Sequence, residues 1–202
     1  MNYLILLASL LLPAHALADP PAPAVLQSQY LAAIEYAKGG GPTGCGLRAT
    51  GETGTGLWVD VLLNVFARGP GERFGMFKVV VRKINLRDGA PVLRGGRITY
   101  LSIGKIHKAR MKTGSGTKTA IGEGLDSPHN DGYMARLEFD NAIALLAEMP
   151  QADFRVAYST ESGGPEETIE FNRRITPGEA SKLSACMSKL RGASGNRSDK
   201  AL

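Results

Sequence analysis

Six basic side chains between residues 105 and 118 form the one cluster in this sequence that points to binding chemistry. They are Lys105, His107, Lys108, Arg110, Lys112 and Lys118. On a β-strand over residues 106–113, Lys108, Arg110 and Lys112 project from the same face about 7 Å apart. Like charges at that spacing are costly unless water or acidic groups meet them. The cluster therefore predicts a site for phosphate, carboxylate or an acidic protein surface; the alternative is a solvated edge strand whose lysines discourage aggregation.

Short matches to catalytic motifs lie beside this cluster, but their context differs from that of the enzymes that use them. Residues 102–105 and 115–118 match the motif S-x-x-K, and residues 112–114 match K-T-G. Both motifs occur in penicillin-recognising enzymes. In those enzymes the nucleophile begins a helix and K-T-G lies far downstream. Here all three matches fall within seventeen residues, and the accompanying S-D-N motif is missing. We therefore assign no catalytic residue, and the absence of a P-loop pattern and of interleaved aromatics argues against phosphate-cradling loops and nucleic acid.

A polar, glycine-rich stretch follows the cluster and is predicted to be a long loop or irregular hairpin over residues 114–132. Glu123, Asp126 and His129 bring potential ligands and bases into it. The EF-hand order and its terminal Glu are missing, so we predict no metal and no cofactor. Long loops are often functional, which leaves a cell-envelope hydrolase using carboxylates and His129 as the alternative function. The simpler interpretation is a turn made of the residues that turns prefer.

The first 18 residues predict export. Residues 3–12 are an apolar run, Pro13 ends it, and Ala16-Leu17-Ala18 has the small-x-small pattern of a signal-peptidase site. No Lys or Arg precedes the run, which departs from the usual pattern. An uncleaved anchor is the alternative, although the run is short for a bilayer, which needs about 20 apolar residues. We predict cleavage before Asp19, a periplasmic or secreted bacterial protein, and no transmembrane span after cleavage.

The two cysteines, Cys45 and Cys186, both lie in the part predicted to be exported. Two cysteines in an oxidising compartment permit one disulfide with a single connectivity. Their spacing fits no zinc pattern. We therefore predict a Cys45–Cys186 bridge between the beginning of the first strand and the final helix.

The remaining pattern predicts an α+β fold. Alternation at period two predicts a central hairpin over residues 57–67 and 76–84, with Phe77, Val79 and Val81 in the core. Helices are expected at Val25–Lys38, at Asp140–Met149 and from Pro177, where Thr176 and Glu179 fit a capping box. We expect an antiparallel sheet of about six or seven strands packed by these three helices. The expected division is a signal peptide over 1–18, a Pro-rich leader over 19–23, one domain over 24–190 and a flexible tail over 191–202.

Composition and charge favour a binding protein. The chain has a formal net charge of +5 and 43% hydrophobic residues, enough to build a core. A positive balance favours acidic partners. The first hypothesis is a non-enzymatic accessory protein, inhibitor- or immunity-like. It would contact an acidic protein or an anionic envelope component through the basic strand and the adjacent glycine-rich loop. The sequence predicts neither the identity of this partner nor the oligomeric state.

Overall fold

The computed structural model describes residues 22–38, 41–67, 72–114, 119–120, 123–125, 127 and 131–195. The molecule is mostly β, with 57% of this part in strands and 17% in helices. The strands are β1 Ala24–Lys38, β2 Gly41–Thr53, β3 Leu57–Ala67, β4 Arg73–Ile84, β5 Leu86–Arg87, β6 Ala90–Pro91, β7 Leu93–Arg94, β8 Arg97–Ile98, β9 Tyr100–Ser102, β10 Lys108–Thr113, β11 Thr119–Ala120, β12 Glu123–Leu125, β13 Gly132–Leu137, β14 Phe154–Ser159 and β15 Glu167–Phe171. The helices are α1 Phe139–Glu148 and α2 Pro177–Gly195.

Most of these strands form one long, curled sheet. Its order is β11-β10-β14-β15-β1-β2-β3-β4-β13-β12, and β9 adds to the end of β4. A two-residue parallel step joins Ala24 and Val25 of β1 to β15, whereas the other described pairings are antiparallel. Helix α2 packs against β1 and β2, and α1 packs against β3 and β4. Both helices therefore cover the inner face of the sheet.

The predicted central hairpin is confirmed as strands β3 and β4. On β3 the side chains at alternate positions, Val59, Val61, Leu63 and Val65, are fully buried. On β4 the predicted core residues Phe77, Val79 and Val81 are fully buried as well. The alternation arises because successive side chains of a strand point to opposite faces, and one face meets the helices. Leu145 of α1 and Leu183 of α2 are among the buried helical side chains on the other side of this core.

The predicted N-terminal helix over Val25–Lys38 is wrong, and with it the α+β class and the count of six or seven strands. This segment is strand β1, which pairs with β2 at twelve positions. Leu31 and Ala33 face the core and Tyr30 points outward, so the segment also satisfies a period of two. Alanine is a strong helix former, but its preference amounts to less than about 1 kcal/mol per residue, and hydrogen bonding and packing along the whole strand outweigh it. Two glycines separate the paired Lys38 and Gly41, and such a link is a hairpin signal as well as a helix stop.

The predicted disulfide is confirmed. Cys45 of β2 and Cys186 of α2 are bonded, with their Cα atoms 5.9 Å apart, and both are buried. This separation lies within the range that disulfides require. Helix α2 begins at Pro177 as expected, and the Glu179 N–H donates to the Thr176 hydroxyl at 3.3 Å. The Glu179 carboxylate instead accepts the backbone N–H of Ala33 on β1 at 2.8 Å, so a second link fixes α2 to the sheet.

Several predictions fall partly or wholly outside the described residues. The signal peptide and most of the leader lie there, as do Lys118, Asp126 and His129. Helix α2 extends to Gly195, five residues into the segment expected to be a flexible tail. In the described part of the chain, no helix has both the length and the apolar composition needed to cross a bilayer.

Candidate functional site

Strand β10 carries three of the predicted basic residues on one face. Lys108 and Lys112 are exposed and Arg110 is partly exposed, whereas the alternate residues Ala109 and Met111 are buried. The strand packs its inner face on the core, so its outer face must be polar. Lys105 and His107 are exposed on the link that precedes β10, and Lys118 lies outside the described residues.

Strand β14 adds a cation that the sequence analysis missed. The antiparallel register places Arg155 directly opposite Lys112 and Ala157 opposite Arg110. Arg155 is exposed and its guanidinium pairs with Glu170 of the next strand, β15, at 3.0 Å. Two cations therefore sit side by side across the β10–β14 pair. We call Lys105, His107, Lys108, Arg110, Lys112 and Arg155 the basic surface.

Glu166, just before β15, is the acidic group at the centre of this surface. Its carboxylate lies 3.1 Å from the Lys108 ammonium and 2.5 Å from the Arg110 guanidinium. Burial alone would raise the pKa of Glu166, but hydrogen bonds from Lys108 and Arg110 outweigh it and lower that pKa below its ordinary value. Glu166 thus stays ionised and partly neutralises the strand.

The balance of charge on the basic surface remains positive. Its cations are Lys105, Lys108, Arg110, Lys112 and Arg155, and the carboxylates paired with them are Glu166 and Glu170. Five positive charges against two negative ones leave an excess of three. Within the described residues, Lys105 and Lys112 have no carboxylate partner. The face therefore offers cationic groups to an anionic partner.

The residues named for the hydrolase alternative fall almost entirely outside the described part of the chain. Asp126 and His129 lie outside the described residues, and only the backbone of Glu123 is described, opposite Arg136. Asp131, at the end of the same stretch, is held 2.5 Å from the Arg82 guanidinium. Among the side chains that the structure places, no three His, Cys, Asp or Glu residues converge as metal ligands would.

A concave feature lies where β1, β2 and β3 meet. It is an open pocket of about 850 Å³ lined by Glu35, Tyr36, Ala37, Lys38, Thr43, Phe66 and Glu72. The Tyr36 and Phe66 rings are 5.1 Å apart, and burial raises the pKa of Tyr36, which keeps its hydroxyl neutral. Phe66 reaches this position because Gly44 has no side chain; a Cβ there would lie 2.5 Å from the Phe66 ring. The pocket wall is therefore a packed aromatic contact with charged residues at its margin.

No protein-family model, curated protein or solved structure matches this chain. The surfaces described above are therefore the basis on which we assign a function.

Proposed function

We propose that this is an exported, non-enzymatic binding protein that contacts an acidic protein partner through the basic surface. The observation that carries the proposal is the excess of three positive charges over strands β10 and β14 and the link that precedes β10. Most of these side chains are fixed on strands β10 and β14, so binding orders little backbone and costs less conformational entropy. A positive patch also speeds encounter with an acidic partner and disfavours basic ones.

A binding role suits the basic surface better than a catalytic one. Ser159 lies opposite Lys108 on β14, but it is buried and its hydroxyl donates to the backbone oxygen of Glu161 at 2.8 Å. It therefore serves a local turn and is turned away from solvent. Five of the six side chains of the basic surface are Lys or Arg, which suit recognition of carboxylates. The role we assign is that of an accessory, inhibitor or immunity-type protein that masks or scaffolds its partner.

Export is the part of the proposal that rests on the N-terminal sequence. The apolar run over residues 3–12 and the Ala16-Leu17-Ala18 pattern support it. The Cys45–Cys186 bridge is compatible with the oxidising compartments where disulfides persist. The partner would then be an acidic protein of the cell envelope or of the surroundings.

The test is binding to an acidic polypeptide, with poly-L-glutamate as the first probe and an envelope extract as the second. The triple variant Lys108→Ser/Lys112→Ser/Arg155→Ser should bind about tenfold more weakly and show a smaller dependence on salt. The matched control is Lys38→Ser/Lys83→Ser/Lys189→Ser, which removes three exposed cations elsewhere and changes the net charge equally. Equal losses in the two variants would mean that net charge alone attracts the probe, and the proposed surface would be wrong.

Glu166 provides a variant that should act in the opposite direction. Glu166→Gln removes the carboxylate that partly neutralises Lys108 and Arg110. Both cations then become available to an acidic partner, so binding should strengthen by a few-fold. Weaker binding of Glu166→Gln, with the fold intact, would place the contact elsewhere.

A further inference from the structure

Two consecutive miniature hairpins project between β4 and β9. They are β5–β6 and β7–β8, and we call residues 85–99 the arm. Their turns are Asp88-Gly89 and Gly95-Gly96, whose φ angles of 53°, 78°, 58° and 73° are all positive. Tight two-residue hairpin turns of this kind need Gly, Asp or Asn. The two hairpins repeat every seven residues, with Leu-Arg at the same place in each.

The base of the arm is closed by a triangle of backbone hydrogen bonds. The Asn85 N–H donates to the Thr99 oxygen at 3.0 Å, Val92 to Asn85 at 2.8 Å, and Thr99 to Val92 at 2.9 Å. The Thr99 hydroxyl also donates to the Val92 oxygen at 2.9 Å. Three positions spaced by seven residues thus bond to one another in a ring. The arm is therefore held at its base, although it buries almost no side chains.

Apolar side chains of the arm are turned to solvent. Leu86 is 49% exposed, Leu93 is 61% exposed and Ile98 is 38% exposed. Leu93 lies opposite Ile98 and Leu86 lies opposite Pro91, so each hairpin presents one apolar pair. Leu101 on the adjoining strand β9 is 49% exposed. Several exposed large apolar side chains within one short segment are typical of a docking site.

The other side of the second hairpin is cationic. Arg94 and Arg97 are direct cross-strand partners, and both are exposed. Like charges in that position destabilise a hairpin unless an anion meets them. Asp88 is the one carboxylate in the arm, and it lies in the other turn. No ion pair to Arg94 or Arg97 occurs within the described residues, so the pair is available to an external anion.

We propose that the arm docks on the surface of an anionic lipid bilayer. Leu86, Leu93 and Ile98 enter the boundary between headgroups and acyl chains, as the apolar residues of interfacial segments do. Arg94 and Arg97 contact the lipid phosphates, whose negative charge complements them. This goes beyond the proposed function, because it assigns a second surface and a different class of partner.

The composition of the arm favours lipid over a protein groove. Protein-binding hot spots are rich in Trp, Tyr and Arg and poor in Leu, whereas interfacial membrane segments combine Lys or Arg with Leu and other apolar residues. The exposed apolar residues of the arm are Leu and Ile, each near an Arg. The hairpins have two-residue strands, so their tips are narrow. A narrow tip buries little area on a protein surface but inserts readily among lipid headgroups.

The test is co-sedimentation of the protein purified from the producing cell with lipid vesicles. Vesicles of phosphatidylglycerol and phosphatidylcholine in equal parts should retain it, and pure phosphatidylcholine should retain about tenfold less. Leu93→Ser/Ile98→Ser and Arg94→Gln/Arg97→Gln should each lower binding to the anionic vesicles by about tenfold. All variants share the same N-terminus, so differences among them do not come from that segment.

Two control variants locate the effect. Leu125→Ser removes an apolar side chain of similar exposure, 42%, from β12 at the edge of the sheet, and it should bind like the unmodified protein. Lys112→Gln/Arg155→Gln removes the same number of cations from the basic surface and should lower vesicle binding by less than Arg94→Gln/Arg97→Gln does. Circular dichroism and an intact Cys45–Cys186 bond, checked by mass, establish that each variant is folded. Failure of the protein to bind anionic vesicles, or loss of binding only in Lys112→Gln/Arg155→Gln, would overturn the proposal.

Discussion

Gly46 of β2 lies directly beneath the side chain of Asn64 on β3, its partner across the hairpin. A Cβ built on Gly46 would overlap the Asn64 amide oxygen and would come 2.7 Å from the backbone oxygen of Leu63. Asn64 is fully buried, so its side chain has little room to move. The φ of Gly46 is not positive, so its backbone conformation does not require glycine. The close approach of the two strands is what requires it.

Gly46→Ala should destabilise the protein by about 2 kcal/mol or more, because an overlap with backbone and with a buried amide forces neighbouring atoms apart. Gly41→Ala is the matched control on the same strand, since nothing lies within 4 Å of a Cβ there. It should change the free energy of unfolding by less than about 0.5 kcal/mol. Urea denaturation of the two variants decides the matter. Similar urea midpoints for Gly46→Ala and Gly41→Ala would contradict the close contact between Gly46 and Asn64.

The ion pairs of Glu166 predict a pH dependence of stability. The pKa of Glu166 is lowered in the folded protein, so its stabilisation is present above the ordinary value of 4.5 and is lost as the pH falls below it. The unmodified protein should therefore lose stability more steeply below that pH than Glu166→Gln does. The difference should be about 1 kcal/mol or less, because Lys108 is 62% exposed and screened by water.

Thermal unfolding of both proteins between neutral and acidic pH measures this difference. In the same series at about 1 M salt, the difference in stability between the two proteins should be smaller, because salt screens solvent-exposed charges. If the two curves remain parallel in acid, Glu166 is not ionically coupled to Lys108 and Arg110.

Local signals made part of the fold predictable from the sequence. Period-two alternation marked β3 and β4, and the cap at Thr176 marked the beginning of α2. These patterns are complete within one short segment. The sequence of β1 predicts a helix because its apolar residues satisfy both periods, and the pairing with β2 decides in favour of the strand. The two-residue strands of the arm are shorter than any window in which a period can be recognised.

The candidate site was predictable only in the part that lies along one strand. The alternation of Lys108, Arg110 and Lys112 is visible in the sequence of β10 alone. Arg155 and Glu166 join it through pairings between segments about fifty residues apart, and no local pattern specifies that register. The buried neighbours of Arg155, Phe154 and Val156, indicate that Arg155 faces outward, but they do not show which strand lies beside it.

The N-terminal sequence predicts that the mature protein begins at Asp19. Mass spectrometry of protein recovered from the periplasm or the medium of the producing cell should give the mass of residues 19–202. Ala16→Asp/Ala18→Asp should block processing, because signal peptidase reads small side chains at these positions. A full-length species that begins with Met1 and sediments with membranes would show that residues 3–12 act as an anchor instead.

The Cys45–Cys186 bridge should contribute a large part of the stability. It spans a sequence separation of 141 residues, and the chain-entropy account gives about 4 to 5 kcal/mol for a loop of that length. Cys45→Ala/Cys186→Ala should therefore lower the melting temperature by about 10–20 °C. The unmodified protein in excess reductant is the control. Its melting temperature should fall by a similar amount once the bond is reduced. Because both sulfurs are buried, reduction should be slow until the protein opens. A fall of less than about 5 °C in the double variant would mean that packing of α2 on β1 and β2 holds the fold without the bridge.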